Sequence, residues 1–196
     1  MQFSFTLLHG WNRERELLTA LRGENLLPHQ LLLMLSDGSL TTHLEAIYDC
    51  TLTVEIRESG TVLLEEGEAA FLGVTPGGEA VARGTWLKAG GKKLVYAKTL
   101  LPVERLDERL IRDVSTVEEP LVRLLTTEYP FSRKERIEIG IVASSAVAGE
   151  LDVPDDTPFW MRRYRLTTQA EAGERSVRAM VTELFSPELM GTPLLR

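Results

Sequence analysis

Cysteine is nearly absent from this chain of 196 residues, and histidine is scarce. Cys50 is the one cysteine, so no disulfide bond can form within the chain. The three histidines, His9, His29 and His43, lie far apart and lack the i, i+4 spacing of two metal ligands on one helix. We therefore expect no metal site.

Motifs for phosphate binding and for nucleophilic hydrolysis are also missing. The glycine-rich stretch GVTPGGEA at 73–80 lacks the Lys-Ser/Thr pair of a phosphate loop and is more typical of a turn. No G-x-S-x-G sequence occurs, and Cys50 has no evident histidine partner. Any chemistry must therefore use arginines, carboxylates and backbone groups.

The chain has no long apolar run, and its 22 lysines and arginines are outnumbered by 29 aspartates and glutamates. No apolar stretch approaches the roughly 18 residues that cross a bilayer, and the N-terminus carries no basic signal-peptide region. The formal net charge is −7, which disfavours non-specific binding to nucleic acid or acidic membranes. We expect a cytoplasmic protein that binds no nucleic acid and does not insert into a membrane. The sequence leaves its oligomeric state open.

The periodicity of apolar residues predicts both helices and strands. Helical spacing occurs at 11–22, 28–35, 40–49, 103–112 and 118–128. Strand-like runs occur at 51–58, 61–65, 68–74, 80–88, 136–142, 159–167 and 176–185, and 86–102 indicates two strands around a turn at Ala89-Gly90-Gly91. The second and third helices, and the last two, form helix-turn-helix pairs. We predict a single α+β domain over 1–196 with a mainly antiparallel sheet, and a long loop at 143–158.

Glu183 is an unexpected residue in the last predicted strand. Alternation groups it with the apolar Val177, Ala179, Val181 and Phe185. Burying an unpaired carboxylate costs several kcal/mol, roughly, or forces a proton onto it. Glu183 is therefore a register error, an edge residue, or a group with a partner, which could be an arginine of the adjacent strand.

Arginines supply the candidate partners. Alternation groups Arg162 with Trp160 and Tyr164, and places Arg163 and Arg165 on the opposite side. The strand presents either a solvated arginine face with one arginine capping a helix, or an arginine that supports a buried acid, and the pattern does not decide which arginine faces inward. Arg57 shares its parity with Thr51, Thr53 and Glu55, and periodicity alone indicates a structural role.

The order of several segments resembles that of the chorismate pyruvate-lyases. The segments are SDGSLTTHLE, VEIRESG, LVYAKTLLP, PLVRLL, RKERIEIG, WMRRYRL and VTELFSP, which together span roughly residues 30–187. The resemblance implies cleavage of chorismate to 4-hydroxybenzoate and pyruvate without a metal or organic cofactor. It also implies an antiparallel sheet whose internal ligand pocket is covered by two helix-turn-helix flaps.

The same resemblance assigns roles to four residues. Arg57 takes the place of the arginine that holds the ring carboxylate, and Glu183 that of the glutamate that bonds the ring hydroxyl. Leu40 and Leu121 take the places of two flap residues whose backbone contacts the ligand. Arg57 and Glu183 are then expected to line one cavity as binding and catalytic residues.

Two points qualify the resemblance. Lys98 stands where the best-known branch has arginine, which weakens a second carboxylate clamp. The same fold also serves as a ligand-sensing domain in helix-turn-helix regulators, so a non-catalytic aromatic-acid binding domain is the alternative function. A purely structural protein would leave Glu183 and the segment order unexplained.

Overall fold

Seven strands of the described chain form one antiparallel sheet. The computed structural model describes residues 4–13, 16, 19, 21, 26–128, 132–168 and 176–193. The strands are β1 (Thr6–Arg13), β2 (Thr53–Leu63), β3 (Glu79–Ala89), β4 (Lys92–Pro102), β5 (Ser132–Ala143), β6 (Phe159–Thr168) and β7 (Arg178–Phe185). Their order across the sheet is β1-β5-β6-β7-β4-β3-β2, and every pair is antiparallel. The prediction of an α+β fold with an antiparallel sheet is confirmed.

Helices precede, interrupt and follow the strands. They are α1 (Pro28–Leu35), α2 (Leu40–Tyr48), α3 (Glu66–Leu72), α4 (Glu108–Thr116), α5 (Leu121–Glu128), α6 (Ser145–Leu151) and α7 (Pro187–Met190), with a short 3₁₀ turn at Val103–Arg105. The pairs α1–α2 and α4–α5 are the two predicted helix-turn-helix units, which we call flap 1 and flap 2. No helix within the described ranges is long and apolar enough to span a membrane.

The flaps cover one face of the sheet. Leu33 and Leu44 of flap 1 pack with Leu87, and Leu110 and Leu125 of flap 2 pack in a second apolar cluster on the same face. We call this the flap face. Because strand residues alternate, a site that lies between the flaps and the sheet takes its floor from every second residue of each strand.

The rear face is covered by the two short helices α3 and α6. Phe71 and Leu72 of α3 pack against Leu100, and Val147 of α6 packs in the cluster around Trp86. Trp86 stands between two flap-face residues of β3, so it marks the opposite side of the sheet. The molecule therefore has a helix layer on each face of its sheet.

Caps and turns in the sequence explain several element ends. The hydroxyl of Ser39 accepts a hydrogen bond of 3.3 Å from Thr42 N and caps α2, and Asp107 accepts one of 2.7 Å from Leu110 N and caps α4. The predicted hairpin turn joins β3 to β4, where Gly90 and Gly91 have φ of 55° and 85°. Both angles favour glycine.

Three predicted segments are wrong in part. The run 68–74 is not a strand but lies mainly in α3, which begins with a reciprocal cap between Glu65 and Glu68 and ends at Gly73 with φ 71°. The predicted loop 143–158 contains α6, capped by Ser144. The predicted helix 11–22 begins within β1, and much of it lies outside the described residues.

Candidate functional site

A cavity lies between the flap face of the sheet and the two flaps. Its volume is about 40 Å³. The floor is formed by Arg83, Thr85, Leu87, Ala97, Thr99, Lys134, Tyr164, Val181 and Glu183, and the roof by Leu40, Thr41, Pro120, Leu121 and Val122. Three of the four residues assigned by the resemblance, Leu40, Leu121 and Glu183, thus line one space.

The roof presents the starts of two helices to the cavity. Leu40 is the first residue of α2, and Leu121 is the first residue of α5. Amide groups in the first turn of a helix have no acceptor within that helix, and the helix dipole places partial positive charge there. The roof is therefore suited to an anionic or hydroxyl oxygen.

Glu183 is buried in the floor and has two protein partners. Its side chain is 5% exposed, and it forms an ion pair with Arg162, whose side chain is 0% exposed. The hydroxyl of Tyr164 donates a hydrogen bond of 2.9 Å to the other carboxylate oxygen. Burial and the neighbouring Glu183 raise the pKa of Tyr164 well above its ordinary value, so this phenol stays protonated. The carboxylate on the apolar row is thus neither a register error nor an edge residue.

Arg162 is the arginine of β6 that faces inward. Its guanidinium also donates to the backbone oxygens of Leu33 and, over 3.3 Å, of Ser36 at the end of α1. Arg162 therefore joins the buried acid to flap 1. The other two arginines of this strand are paired elsewhere, Arg163 with Glu138 and Arg165 with Glu135.

Arg83 is a buried cation in the floor that the sequence analysis missed. The residue is 2% exposed, and its Nη2 donates to the backbone oxygens of Val117 at 2.8 Å and Glu119 at 2.9 Å. Burial lowers the pKa of Arg83 to about 10, although Glu118 acts in the opposite direction, so the group is charged at neutral pH. Its Nε is buried and has no hydrogen-bond partner among the described residues. Because Arg83 lines the cavity, this donor is available to an acceptor atom of a ligand or of a water molecule.

The structure does not bring Arg57 and Glu183 together, so the expectation that both residues line one cavity is wrong. The side chain of Arg57 is 42% exposed and forms ion pairs with Glu150 at 3.1 Å and Glu55 at 3.3 Å. Glu150 also accepts a bond of 2.9 Å from the indole of Trp86, which lies on the rear face. The register of β2 shifts between Ile56 and Glu58, so alternation does not carry through Arg57. Arg57 is therefore held on the side of the sheet opposite the cavity.

Lys134 is a second cation in the floor. Its ammonium donates to the backbone oxygen of Gly38, in the turn of flap 1, and lies 4.7 Å from the centre of the Tyr164 ring. Burial lowers the pKa of Lys134 to about 8, with Glu183 and Asp37 raising it and Arg162 lowering it. At neutral pH the group is mainly protonated.

Lys98 does not belong to this cavity. It alternates with Ala97 on β4, and it lines a separate rear-face cavity of about 120 Å³ together with Thr182 and Met180. A second clamp from Lys98 is therefore not available to a ligand under the flaps. Within the ranges that the structure describes, no group of three or more His, Cys, Asp or Glu side chains could hold a metal ion.

Comparisons with known proteins place the chain in a family and a fold. Residues 34–192 match the family model described as Rv2949c-like chorismate pyruvate-lyase. The comparison with curated proteins gave no match.

Several solved structures are similar in fold. The effector domain of PhnF from Mycobacterium smegmatis has a TM-score of 0.61 and 17% identity over 79% of this chain and 93% of that domain. For PhnF itself, the same match covers 67% of its chain. A GntR-family transcriptional regulator from Bacillus cereus has a TM-score of 0.55 and 12% identity over 70% of this chain and 92% of its own. At these identities the likeness shows the fold alone.

Proposed function

The chain belongs to the Rv2949c-like chorismate pyruvate-lyase family, and from that premise we propose that it cleaves chorismate to 4-hydroxybenzoate and pyruvate in the cavity under the flaps. The reaction proposed needs no metal or organic cofactor. The observation that carries the proposal is the presence of buried Arg83 and buried Glu183 in the floor of one cavity.

The two charged groups are separated by a suitable span for a small ring. Arg83 lies on β3 and Glu183 on β7, with β4 between them. Two strand spacings amount to about 10 Å across the sheet. Arg83 lies level with Val181, two residues or about 7 Å along the strand from Glu183, so the two backbones are about 12 Å apart and both side chains extend over the same face. Arg83 would hold the ring carboxylate, through the Nε that lacks an acceptor, and Glu183 would accept a hydrogen bond from the ring hydroxyl.

The chemistry asked of the protein is an elimination that makes the ring aromatic. The C4–H bond breaks and its electrons form the C3–C4 ring double bond, while the C3–O ether bond breaks toward oxygen. The proton lost from C4 is balanced by the proton that the released enolpyruvate takes up to become pyruvate. The protein contributes orientation of the ring, stabilisation of charge on the departing oxygen, and exclusion of water. Glu183 keeps accepting capacity for this role because a carboxylate accepts more bonds than the two it already has.

The roof supplies the remaining contacts. The first-turn amides at Leu40 and Leu121 are placed to bond oxygen atoms of the ligand from the two flaps. A volume of about 40 Å³ holds a few water molecules rather than a substituted ring. The flaps must therefore move for the ligand to enter, and we expect their opening to limit release of the product.

A non-catalytic aromatic-acid binding domain is the second candidate. The similar structures include the effector domain of PhnF and a GntR-family transcriptional regulator from Bacillus cereus. The pairing of Glu183 with both Arg162 and Tyr164 would suit a fixed binding group as well as a catalytic one. This candidate uses the same cavity and the same two anchors, but it predicts retention of chorismate or a related acid without reaction.

One assay separates the two candidates. Purified protein is mixed with chorismate, 4-hydroxybenzoate is followed by its absorbance, and pyruvate is measured with lactate dehydrogenase and NADH. The lyase forms both products in equal amounts, and Glu183→Gln lowers the turnover number. Binding of chorismate by calorimetry with no pyruvate would establish the binding domain instead. Full activity in Glu183→Gln would remove Glu183 from the mechanism.

A further inference from the structure

A β-bulge turns Lys134 toward the cavity. Ile139 pairs with Arg162 on the flap face, and unbroken alternation from Ile139 would place Lys134 on the rear face. The register of β5 against β6 shifts between Glu135 and Glu138, and Arg136 has φ 54°. The extra residue reverses the alternation, so Lys134 pairs with Leu166 and lines the cavity. A bulge that aims a single side chain at a site is commonly a feature of that site.

The two cations of the floor lie at opposite sides of the cavity. Lys134 is on β5 and Arg83 on β3, and the intervening strands include β7 with Glu183. Across the floor the order is thus cation, buried acid, cation. Chorismate carries a carboxylate on its ring and a second one on its enolpyruvyl group, whereas 4-hydroxybenzoate keeps only the first.

We propose that Lys134 is a specificity-determining residue that binds the second carboxylate of a dianionic substrate and thereby distinguishes it from the monoanionic product. The proposal rests on the function proposed above. It assigns Arg83 to the carboxylate that substrate and product share, and Lys134 to the carboxylate that departs with pyruvate.

The contacts of Lys134 in the free protein support this role. Its ammonium donates to Gly38 O, a neutral carbonyl in the turn of flap 1. A carboxylate is a stronger acceptor for an ammonium group than a carbonyl is. A dianionic ligand would therefore take over this hydrogen bond, while a monoanion held at Arg83 would leave it in place. A partly buried lysine that has no carboxylate in direct contact among the described residues is also unfavourable by itself, as its lowered pKa indicates.

The test compares two stable probes that differ in one carboxylate. Binding of 3-(carboxymethoxy)benzoate, a dianion whose second carboxylate stands at position 3 as in chorismate, and of 3-methoxybenzoate, a monoanion, is measured by calorimetry at pH 7. The variants are Lys134→Met, which removes the charge, and Lys134→Arg, which keeps it. The matched control is Lys98→Met, a lysine-to-methionine change in the rear-face cavity. Thermal melting of each variant establishes that it is folded.

We expect the wild-type protein to bind the dianion at least tenfold more tightly than the monoanion. Lys134→Met should reduce this preference to within twofold, mainly by weakening the binding of the dianion. Lys134→Arg and Lys98→Met should keep most of the preference. An undiminished preference in Lys134→Met, no preference in the wild type, or failure of both probes to bind would each overturn the proposal.

The outcome is separable from that of the lyase assay. A dianion preference that depends on Lys134, in a protein that forms no pyruvate from chorismate, would support this contact and reject the activity. Pyruvate formation with a preference that Lys134→Met leaves unchanged would support the activity and reject this contact.

Discussion

Arg123 donates hydrogen bonds of 2.9 Å to both carboxylate oxygens of Glu45. Arg123 lies on α5 and Glu45 on α2, so this ion pair, made through Nη2 of Arg123, joins flap 2 to flap 1 across the roof of the cavity. Glu45 is further fixed by the backbone amide of Leu52, which donates to it over 3.1 Å. The pair is therefore placed to hold the two flaps together while a ligand is bound.

Breaking this pair should speed ligand release. Because an exposed ion pair contributes about 0.2–1 kcal/mol, Arg123→Ala should raise the dissociation rate of 4-hydroxybenzoate up to about fivefold. Stopped-flow displacement of bound 4-hydroxybenzoate measures the rate. Lys92→Ala is the control, since it removes an exposed pair with Glu188 that involves neither flap. An unchanged rate in Arg123→Ala would show that the pair does not restrain opening.

The sequence assigns the ring carboxylate to Arg57, whereas the cavity lining points to Arg83. The two assignments predict different effects of mutation on ligand affinity. Arg83→Met should weaken 4-hydroxybenzoate binding by about 10- to 150-fold, since a hydrogen bond to a charged group contributes about 1.5–3 kcal/mol. Arg57→Met removes an arginine that lies outside the cavity lining, and should change the affinity less than twofold. Calorimetry at one pH measures both.

Because Arg83 also bonds the backbone of Val117 and Glu119, part of the loss in Arg83→Met could come from a disordered flap. Arg83→Lys keeps the positive charge and serves to separate the two effects, with melting curves for both variants. A large loss in Arg57→Met and none in Arg83→Met would restore the assignment made from the sequence.

The alternation of side chains between the two faces of a strand predicts the site correctly only where the strand is regular. The row that contains Glu183 is unbroken in β7, and its partner is an arginine of the adjacent strand, as the sequence analysis allowed. The same argument would have found Arg83, which shares its parity with the apolar Val81 and Leu87 of β3. The signal was present there, and only the resemblance directed attention to Arg57.

Prediction from the sequence fails at irregular positions of the strands and at short helices. Bulges at Arg57 and at Arg136 each shift the alternation by one residue, and a bulge leaves no mark in the apolar pattern of a single sequence. The short helices α3 and α6 have seven residues each, and an apolar run of that length fits a strand, a buried helix or a loop equally well. Caps at Glu65 and Ser144 were the available signals for both.

Removing one member of the buried pair should destabilise the protein more than removing both. Arg162→Leu leaves the buried Glu183 with the hydroxyl of Tyr164 as its remaining hydrogen-bond donor among the described residues, and such a loss costs about 3–5 kcal/mol of unfolding free energy. Arg162→Leu with Glu183→Leu leaves no buried charge at this position, and should recover at least half of that loss. Urea unfolding of the two single variants and the double variant measures the coupling; additive losses would show that the two groups do not interact.

The affinity for a dianionic ligand should depend on pH through Lys134. Burial holds the pKa of Lys134 at about 8 in the free protein, so the ammonium form that binds a carboxylate predominates below that pH and is lost above it. The charged and titratable groups that face it are Glu183, Arg162, Asp37 and Tyr164, and burial keeps the phenol of Tyr164 protonated over this range.

Binding of 3-(carboxymethoxy)benzoate should therefore be constant from pH 6.5 to 7.5 and weaken above about pH 8, by no more than tenfold per pH unit for the loss of one proton. Binding of 3-methoxybenzoate should stay nearly flat, because Arg83, with a pKa of about 10, remains charged up to pH 9. In Lys134→Met both curves should be flat. If the affinity of Lys134→Met for the dianion still falls near pH 8, the titrating group is not Lys134. The pH dependence would then be no evidence that Lys134 binds the second carboxylate.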